Sequence, residues 1–133
     1  MIALRNKYYP SVKISVLSNS TMIDRPAVAE ALLKVDNNIL KLDSAVDATM
    51  RLIDRPANKE FTVEHVVGHL KKFRHQCIVQ TMMVRGEHDG VRIDNTTDAE
   101  IQALLKAYLE IEPAEVMLYS LDRPTPEQHL QTV

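Results

Sequence analysis

Four short apolar segments recur along the chain, and each ends in a group of polar residues. They cover residues 12–20, 38–44, 77–85 and 115–123. The segments between them carry apolar residues at helical spacing, and strands separated by helices pair in parallel. The pattern therefore predicts an α/β fold with a parallel four-stranded sheet. Because parallel α/β sheets bind ligands beyond the carboxyl ends of their strands, the polar segment ends predict a site at that edge.

Helix-start signals separate the predicted strands. Side chains that can cap a first turn, or a proline suited to that turn, stand at 24–26, 44–47, 62, 97–100 and 125–126. In the second of these, Ser44 is expected to be the N-cap, with the acid Asp47 three residues later. The longest stretch without a helical or strand pattern is 86–95, which is predicted to be an irregular loop.

The predicted elements make a single domain, residues 1–133, that is incomplete. A chain of this length can bury one hydrophobic core. Four strands are fewer than a closed (β/α) barrel needs, and both chain ends interrupt the alternation of strands and helices. The sequence therefore predicts a partial (β/α) barrel.

Composition narrows the class of protein further. Apolar residues make up 45% and charged residues 26% of the chain, the balance of a globular domain, and no apolar run approaches the roughly 18 residues of a membrane span. A cytoplasmic protein without a membrane partner is expected. The formal net charge of −2 gives no electrostatic footprint for nucleic acid. Cys77 is the one cysteine, which excludes an internal disulfide and a metal site made mainly of this chain's thiolates.

Alternation along the four strands brings polar side chains to one face of the predicted sheet. The more polar face of each strand gives the set Asn19, Lys41, Asp43, Gln80, Met82 and Tyr119. Burying such groups without partners is costly, so one interpretation is a concave surface that contacts ligand or solvent. The other is a structural network in which Lys41 and Asp43 pair. Arg123, just beyond the fourth strand, is a candidate for binding an anionic group.

The same segments resemble a known family. The similarity is carried by residues 15–21 (SVLSNST), 36–45 (DNNILKLDSA), 53–56 (IDRP), 80–86 (QTMMVRG) and 116–124 (VMLYSLDRP). Together they resemble the radical SAM superfamily, in particular the Fe–S oxidoreductase branch related to wyosine-type tRNA-modifying enzymes. The resemblance spans nearly the whole chain, and it corresponds to the third to sixth strands of a radical SAM barrel, which are its second half.

The resemblance implies that the strand ends bind S-adenosylmethionine. The turn that contains Asn19 matches the family's third-strand turn, and Lys41, Asp43 and Ser44 fall where the family contacts the ribose and methionine of the cofactor. Tyr119 falls near the adenine position. The cofactor-binding residues implied in this way are Asn19, Lys41, Asp43, Ser44, Gln80, Met82 and Tyr119.

The chain departs from the family at its defining element. Radical SAM domains hold a four-iron four-sulfur cluster on a C-x3-C-x2-C trio, and such clusters require thiolate ligands. This sequence has no trio, and Cys77 starts a strand at the opposite end of the barrel. A glycine-rich second-strand motif that recognises the cofactor's amino group is also missing. The cluster is therefore expected only in a longer parent protein, and this chain alone is expected to be inactive.

Two functional hypotheses follow. In the first, the chain is the carboxyl-side half of a radical SAM-like enzyme, and its partner is the missing N-terminal half-domain. In the second, it is a non-catalytic α/β binding module that self-associates as a homodimer through its open strand edges.

Other candidate sites carry weaker signals. His65 and His69 have a spacing that can bind a metal ion, but an exposed helix face explains them as well. His88 and Asp89 have no third ligand nearby in the sequence. Cys77 precedes an apolar strand and is expected to act as a small hydrophobic residue.

Overall fold

The structure is a computed structural model that describes residues 1–58, 60–122 and 129–133. Its α-helices are α1 (Ile2–Tyr8), α2 (Pro26–Leu32), α3 (Asp47–Asp54), α4 (Val63–Leu70) and α5 (Asp98–Ile111), and a short 3-10 helix (Lys71–Phe73) follows α4. Its strands are β1 (Ser15–Ser18), β2 (Asn37–Lys41), β3 (Cys77–Met83), β4 (Arg85–His88), β5 (Val91–Asp94), β6 (Glu115–Ser120) and β7 (Leu130–Gln131).

The four predicted strands form one parallel sheet in the order β1-β2-β3-β6. Each parallel connection passes through at least one helix, as parallel pairing requires. The predicted α/β class and the four-stranded parallel sheet are therefore confirmed. Register fixes which side chains meet, because Lys41 of β2 lies opposite Gln80 of β3, and Gln80 lies opposite Met117 of β6.

The hydrophobic core lies between one face of this sheet and the helices. From the strands it includes Leu40, Cys77 and Val79, all fully buried, and helices α2 to α5 contribute to the same cluster. Burial raises the pKa of the Cys77 thiol to about 11, so the thiolate is disfavoured. Cys77 therefore packs as a small hydrophobic residue, as predicted. The opposite face carries exposed side chains, with Leu17 65% and Tyr119 37% exposed.

The predicted loop at 86–95 is instead largely a β-hairpin. Strands β4 and β5 pair in antiparallel fashion around a two-residue turn, Asp89-Gly90, whose φ angles are +49° and +76°. Two successive positive φ values are typical of the hairpin turn that Asp-Gly favours. Because both strands are rich in charged residues, they lack the apolar alternation by which the other strands were predicted.

A third strand completes this smaller sheet. Strand β7 pairs with β4, and a Cβ atom at Gly86 would collide with the carbonyl oxygen of His129. Only glycine allows this close approach, and its φ of +147° also disfavours other residues. The predicted last helix at 125–126 and the candidate Arg123 lie outside the described residues.

Helix capping agrees with the sequence at two helices and differs at a third. Thr62 accepts a hydrogen bond from the His65 N–H, and Thr97 accepts one from the Glu100 N–H. Helix α3, however, has Val46 as its N-cap residue, not Ser44. No described helix is long and apolar enough to cross a membrane.

Candidate functional site

The predicted polar face is built at the carboxyl ends of β2, β3 and β6. Asp43 lies two residues beyond Lys41, so the two side chains project from the same face. The Asp43 Oδ1 atom accepts a hydrogen bond of 2.7 Å from the Met82 N–H, and Met82 lies opposite Tyr119. Five of the predicted side chains therefore share one surface: Lys41, Asp43, Gln80, Met82 and Tyr119. Their role in binding a cofactor stays a prediction.

A buried ion pair lies at the centre of this surface. Lys41 Nζ is 2.6 Å from Asp43 Oδ2, the Asp43 side chain has no exposed surface, and that of Lys41 is 30% exposed. Burial opposes the charged form of Lys41, but the Asp43 carboxylate outweighs this effect and the pKa of Lys41 is raised. The pair that the sequence suggested is therefore present, and it keeps the Lys41 ammonium charged at the strand ends.

Asp54 joins this pair, and sequence reasoning missed it. It is the last residue of α3, where Arg55 takes a left-handed conformation with φ of +44° ahead of Pro56. A proline disfavours right-handed helical geometry at the residue before it, so the helix ends here. The Asp43 carboxylate lies close enough to Asp54 to help raise the pKa of the Asp54 carboxyl. The one available signal was the Asp-Arg-Pro tripeptide at 54–56, which indicates only that a helix ends or begins there.

The environment of Asp54 favours its protonated form. Desolvation and the negative charge of Asp43 raise the pKa of Asp54 to about 7, although Lys41 acts in the opposite direction. The negative end of the α3 dipole also raises the pKa of Asp54, as the charge of Asp43 does. Asp54 is therefore expected to take up a proton near neutral pH, as a carboxyl beside another carboxylate commonly does.

The neighbouring strand ends supply an aromatic hydroxyl and thioethers. Tyr119 lies near Lys41, and partial burial raises the pKa of its hydroxyl. The Gln80 side-chain amide donates to Met117 Sδ at 3.3 Å. The surface thus combines one cation, two carboxyl groups, a phenol and polarisable sulfur atoms.

Asn19 and Ser44 are not brought into this cluster. Asn19 is exposed, and its Oδ1 atom accepts hydrogen bonds from the N–H and hydroxyl of Thr21. Ser44 is fully buried; its hydroxyl donates to Glu100 Oε2 at 2.7 Å and accepts from the Val46 N–H. Ser44 therefore ties the strand end to helix α5 and does not contact the polar surface.

Asn95 holds the strand ends in place, and no local sequence pattern indicates this role. Its amide nitrogen donates to the carbonyl oxygens of Asp43 (2.7 Å) and Met82 (2.6 Å), and its Oδ1 atom accepts from the Val84 N–H at 2.8 Å. The side chain is fully buried. Asn95 therefore joins the end of β3 to the backbone of Asp43, just beyond the end of β2.

A cavity of about 370 Å³ opens beside Asp54. Asn19 contributes to its wall, so this residue lies next to the charged cluster although it does not touch it. The remaining wall comes from the end of α3, the segment that leads to α4, the first turn of α4 and the loop before α2. Its polar members include Asp24, Arg55, Asn58 and His65. The cavity is large enough for a small organic group.

The described residues contain no group of three side chains that could hold a metal ion. The rings of His65 and His69 stack at 4.5 Å between centroids, and His69 Nδ1 lies 3.0 Å from Lys72 Nζ. His88 pairs with Asp89 at 3.0 Å. A histidine pair beside a lysine ammonium is a poor cation site, because the lysine repels the ion.

The raised pKa of Asp54 should make stability depend on pH. The pKa of Asp54 rises from 3.8 in the unfolded chain to about 7 in the folded chain, so between these values the folded state binds more protons. Stability therefore falls as pH rises through this window. We expect a loss of about 1 kcal/mol between pH 5 and pH 8, discounted for the exposure of Asp54, that is absent in Asp54→Asn. Urea unfolding at both pH values measures this loss of stability. Glu30→Gln, which removes an exposed carboxylate on α2, is the control and should show the same change of stability with pH as wild type. The same pH dependence in wild type and Asp54→Asn would contradict the raised pKa of Asp54.

Comparison with known proteins finds two curated relatives, both named "UPF0026 protein", from two strains of Helicobacter pylori. The protein of strain 26695 is 25% identical over 121 residues, and that of strain J99 is 22% identical over 120 residues. Each alignment covers 89% of this chain but 37% of the relative, so the chain spans little more than a third of their length. No family model matches the chain. No solved structure matches it at a significant level.

Proposed function

We propose that the chain is the carboxyl-side half of a radical SAM-like (β/α) domain and contributes part of the surface that binds S-adenosylmethionine and substrate. The observation that carries the proposal is the Lys41–Asp43 ion pair with Tyr119, which lies at the carboxyl ends of parallel strands on a face whose outer residues are exposed. This is the edge at which parallel α/β sheets bind ligands. The relatives, of which the chain spans about 37%, are long enough to contain the rest of such a barrel.

The donor set on this face suits the parts of the cofactor. The Lys41 ammonium, held by the enclosed Asp43 carboxylate, can pair with a carboxylate. The exposed Asp54 carboxyl can accept from ammonium or hydroxyl groups, and Tyr119 offers an aromatic ring. When bound in a complete enzyme, S-adenosylmethionine supplies a sulfonium carbon–sulfur bond that is cleaved reductively. The role proposed for this chain is to bind and orient the cofactor and to exclude water from it.

The residues of this chain do not fit an iron–sulfur cluster. Cys77 is fully buried in the core, and burial raises the pKa of its thiol. A cluster needs several accessible thiolates. No step of the proposed function therefore runs through a cluster held by this chain, and cofactor binding is the activity to test.

Isothermal titration with S-adenosylmethionine tests the proposal. We expect weak binding in the millimolar range, because the chain supplies only part of the site. Gln80→Ala should weaken it about fivefold, which corresponds to one hydrogen bond of about 1 kcal/mol. Gln102→Ala, an exposed glutamine on α5, is the matched control and should bind as wild type does. Absence of heat at millimolar cofactor would contradict the proposal.

A second candidate is the self-associating module, favoured by the apolar side chains at one side of the sheet. Leu118 of β6 is 60% exposed, and Leu109 of α5 is 78% exposed. Strand β6 is an edge strand, which proteins normally cover or pair. Light scattering on the titration sample separates the two functions: a stable dimer that gives no heat with the cofactor supports the module, and a monomer that binds the cofactor excludes it.

A further inference from the structure

The parallel sheet has a free edge on each side. In the order β1-β2-β3-β6, the outer strands β1 and β6 each pair with one neighbour among the described residues. The unpaired N–H and C=O groups of such an edge are a template for another strand, and proteins normally cover or pair them. The side chains beside each edge therefore indicate what can pair with it.

Helix α1 presents an apolar surface beside the β1 edge. It buries none of its residues, whereas α2 to α5 all contribute to the core. It is held in place, because the Arg5 guanidinium donates to the Val12 carbonyl oxygen at 2.7 Å and to Asp36 Oδ2 at 2.8 Å. A cavity of about 450 Å³ lies beside it, lined mainly by Met1, Leu4, Tyr8, Tyr9, Val12 and Ile14.

The β6 edge also has uncovered apolar side chains, on the side of the sheet that carries the helices. Leu118 lies opposite Thr81, whose hydroxyl is 2.6 Å from that of Tyr108 on α5, so Leu118 points to the helix side. It is nevertheless 60% exposed, and Leu109 of α5 is 78% exposed. A helix is therefore missing over the outer half of β6, among the described residues.

The two edges carry opposite charge. Residues 1–18 contain basic side chains and no acidic one, whereas residues 107–122 contain four acidic side chains and no lysine or arginine. Part of this charge is neutralised within the chain, since Arg5 pairs with Asp36. Lys13 and Glu115, however, are exposed and have no ion-pair partner among the described residues. Each lies at the amino end of its strand.

We propose that a second copy of this chain docks at both edges, head to tail, so that β6 of one copy pairs in parallel with β1 of the other. A helix that leads into a strand of a parallel sheet packs across that strand and its neighbour. Helix α1 of one copy therefore covers Leu118 and Leu109 of the other. The inference rests on self-association, the second candidate function, and specifies its interface.

The charges select this arrangement over one that joins identical edges. Pairing β1 with β1 would bring two basic edges together, and pairing β6 with β6 would bring two acidic edges together. Head-to-tail pairing in parallel places Lys13 and Glu115 at the same end of the joined sheet. Opposite charges across an interface favour the correct partner, and like charges disfavour the wrong one.

Two copies are enough to close the assembly. Head-to-tail contacts give a closed ring or an open fibre, and a (β/α) barrel closes at eight parallel strands, of which each copy supplies four. The exposed apolar side chains at the two edges amount to roughly 1,000 Å² per copy, against roughly 800 Å² per partner in a standard stable interface. The face with Lys41 and Tyr119 then becomes the barrel interior, so that each copy completes the other's site.

Light scattering on the full chain at micromolar concentration tests the proposal first. We expect a mass of twice 15.1 kDa that does not grow further with concentration. Leu4→Ser at the β1 edge and Leu118→Ser at the β6 edge should each weaken the dimer at least tenfold, because each change affects both contacts of the ring. Leu33→Ser, at an exposed leucine after α2, is the matched control and should dimerise as wild type does. Circular dichroism checks that each variant is folded.

A charge exchange tests the pairing of the two edges. Lys13→Glu and Glu115→Lys should each weaken the dimer about fivefold at low salt, and the double variant should return to within about twofold of wild type. Lys34→Glu, at an exposed lysine away from both edges, makes the same change of net charge as Lys13→Glu and should have no effect.

Three results would overturn the inference. The first is a wild-type monomer, which also removes the second candidate function. The second is a dimer weakened by only one of Leu4→Ser and Leu118→Ser, which keeps self-association but makes the contact one between identical edges. The third is a mass that rises beyond two copies, which excludes the closed ring. Binding of S-adenosylmethionine is measured separately, so failure of that proposal is distinguishable from all three.

Discussion

Replacement of Asn95 by alanine is expected to lower the free energy of unfolding by about 4 kcal/mol. The change removes three hydrogen bonds and leaves the Val84 N–H and the carbonyl oxygens of Asp43 and Met82 without their partner. Each buried group left unpaired costs about 1–3 kcal/mol, and the small cavity adds to this loss. Urea unfolding followed by circular dichroism measures the difference.

Asn6→Ala is the matched control for this change. Asn6 is exposed and accepts one hydrogen bond, from the Arg5 side chain, so its loss should cost no more than about 0.5 kcal/mol. Asn95→Asp is informative as well, since it keeps the acceptor for Val84 but loses both donors and buries a charge. A loss below about 1 kcal/mol for Asn95→Ala would mean that Asn95 does not join the two strand ends.

Replacement of Asp43 by alanine is expected to have the second large effect. It should lower the free energy of unfolding by about 3 kcal/mol at pH 8. The Met82 N–H loses its acceptor, and Lys41 is left as a largely buried cation without its counter-charge. Removing one partner of a buried ion pair typically costs 3–5 kcal/mol, and the partial exposure of Lys41 places this case at the lower end.

The isosteric change Asp43→Asn separates the two contributions. Asparagine keeps an oxygen that can accept from the Met82 N–H but removes the charge, so we expect it to lose about half as much as alanine does. The same variant should remove the influence of Asp43 on Asp54 and lower the pH at which stability changes. Equal losses for alanine and asparagine would show that the hydrogen bond to Met82 contributes nothing.

The position of the site on an open sheet face bears on the proposed function. Lys41 and Tyr119 remain accessible, whereas Asp43 is fully enclosed by its neighbours. A second layer of protein over this face would exclude water and strengthen every charge interaction in the cluster. Weak binding by this chain and tighter binding within a longer protein are therefore consistent with one site.

Residue alternation predicted much of the sheet and of its polar face. The apolar residues of β2 and β3 repeat with the period of a strand, so the side on which Lys41 and Gln80 lie follows from counting. The same reasoning failed for β4 and β5, because charged strands that pair at a surface need no apolar alternation. The Asp-Gly turn at 89–90 was the local signal for that hairpin.

Local chemistry could not predict Asp54 or Asn95, because both act through contacts distant in sequence. Asn95 bonds to the Asp43 carbonyl 52 residues away, and Asp54 meets Asp43 only when α3 folds back over the sheet. By itself, therefore, the sequence determined the element types, the parallel sheet and the face that carries its polar residues, since these depend on short-range periodicity. Only the tertiary structure decided that Ser44 turns to Glu100, that Asn95 joins the strand ends and that Asp54 lies near Asp43. Those outcomes depend on distances and desolvation, which the order of residues does not encode locally.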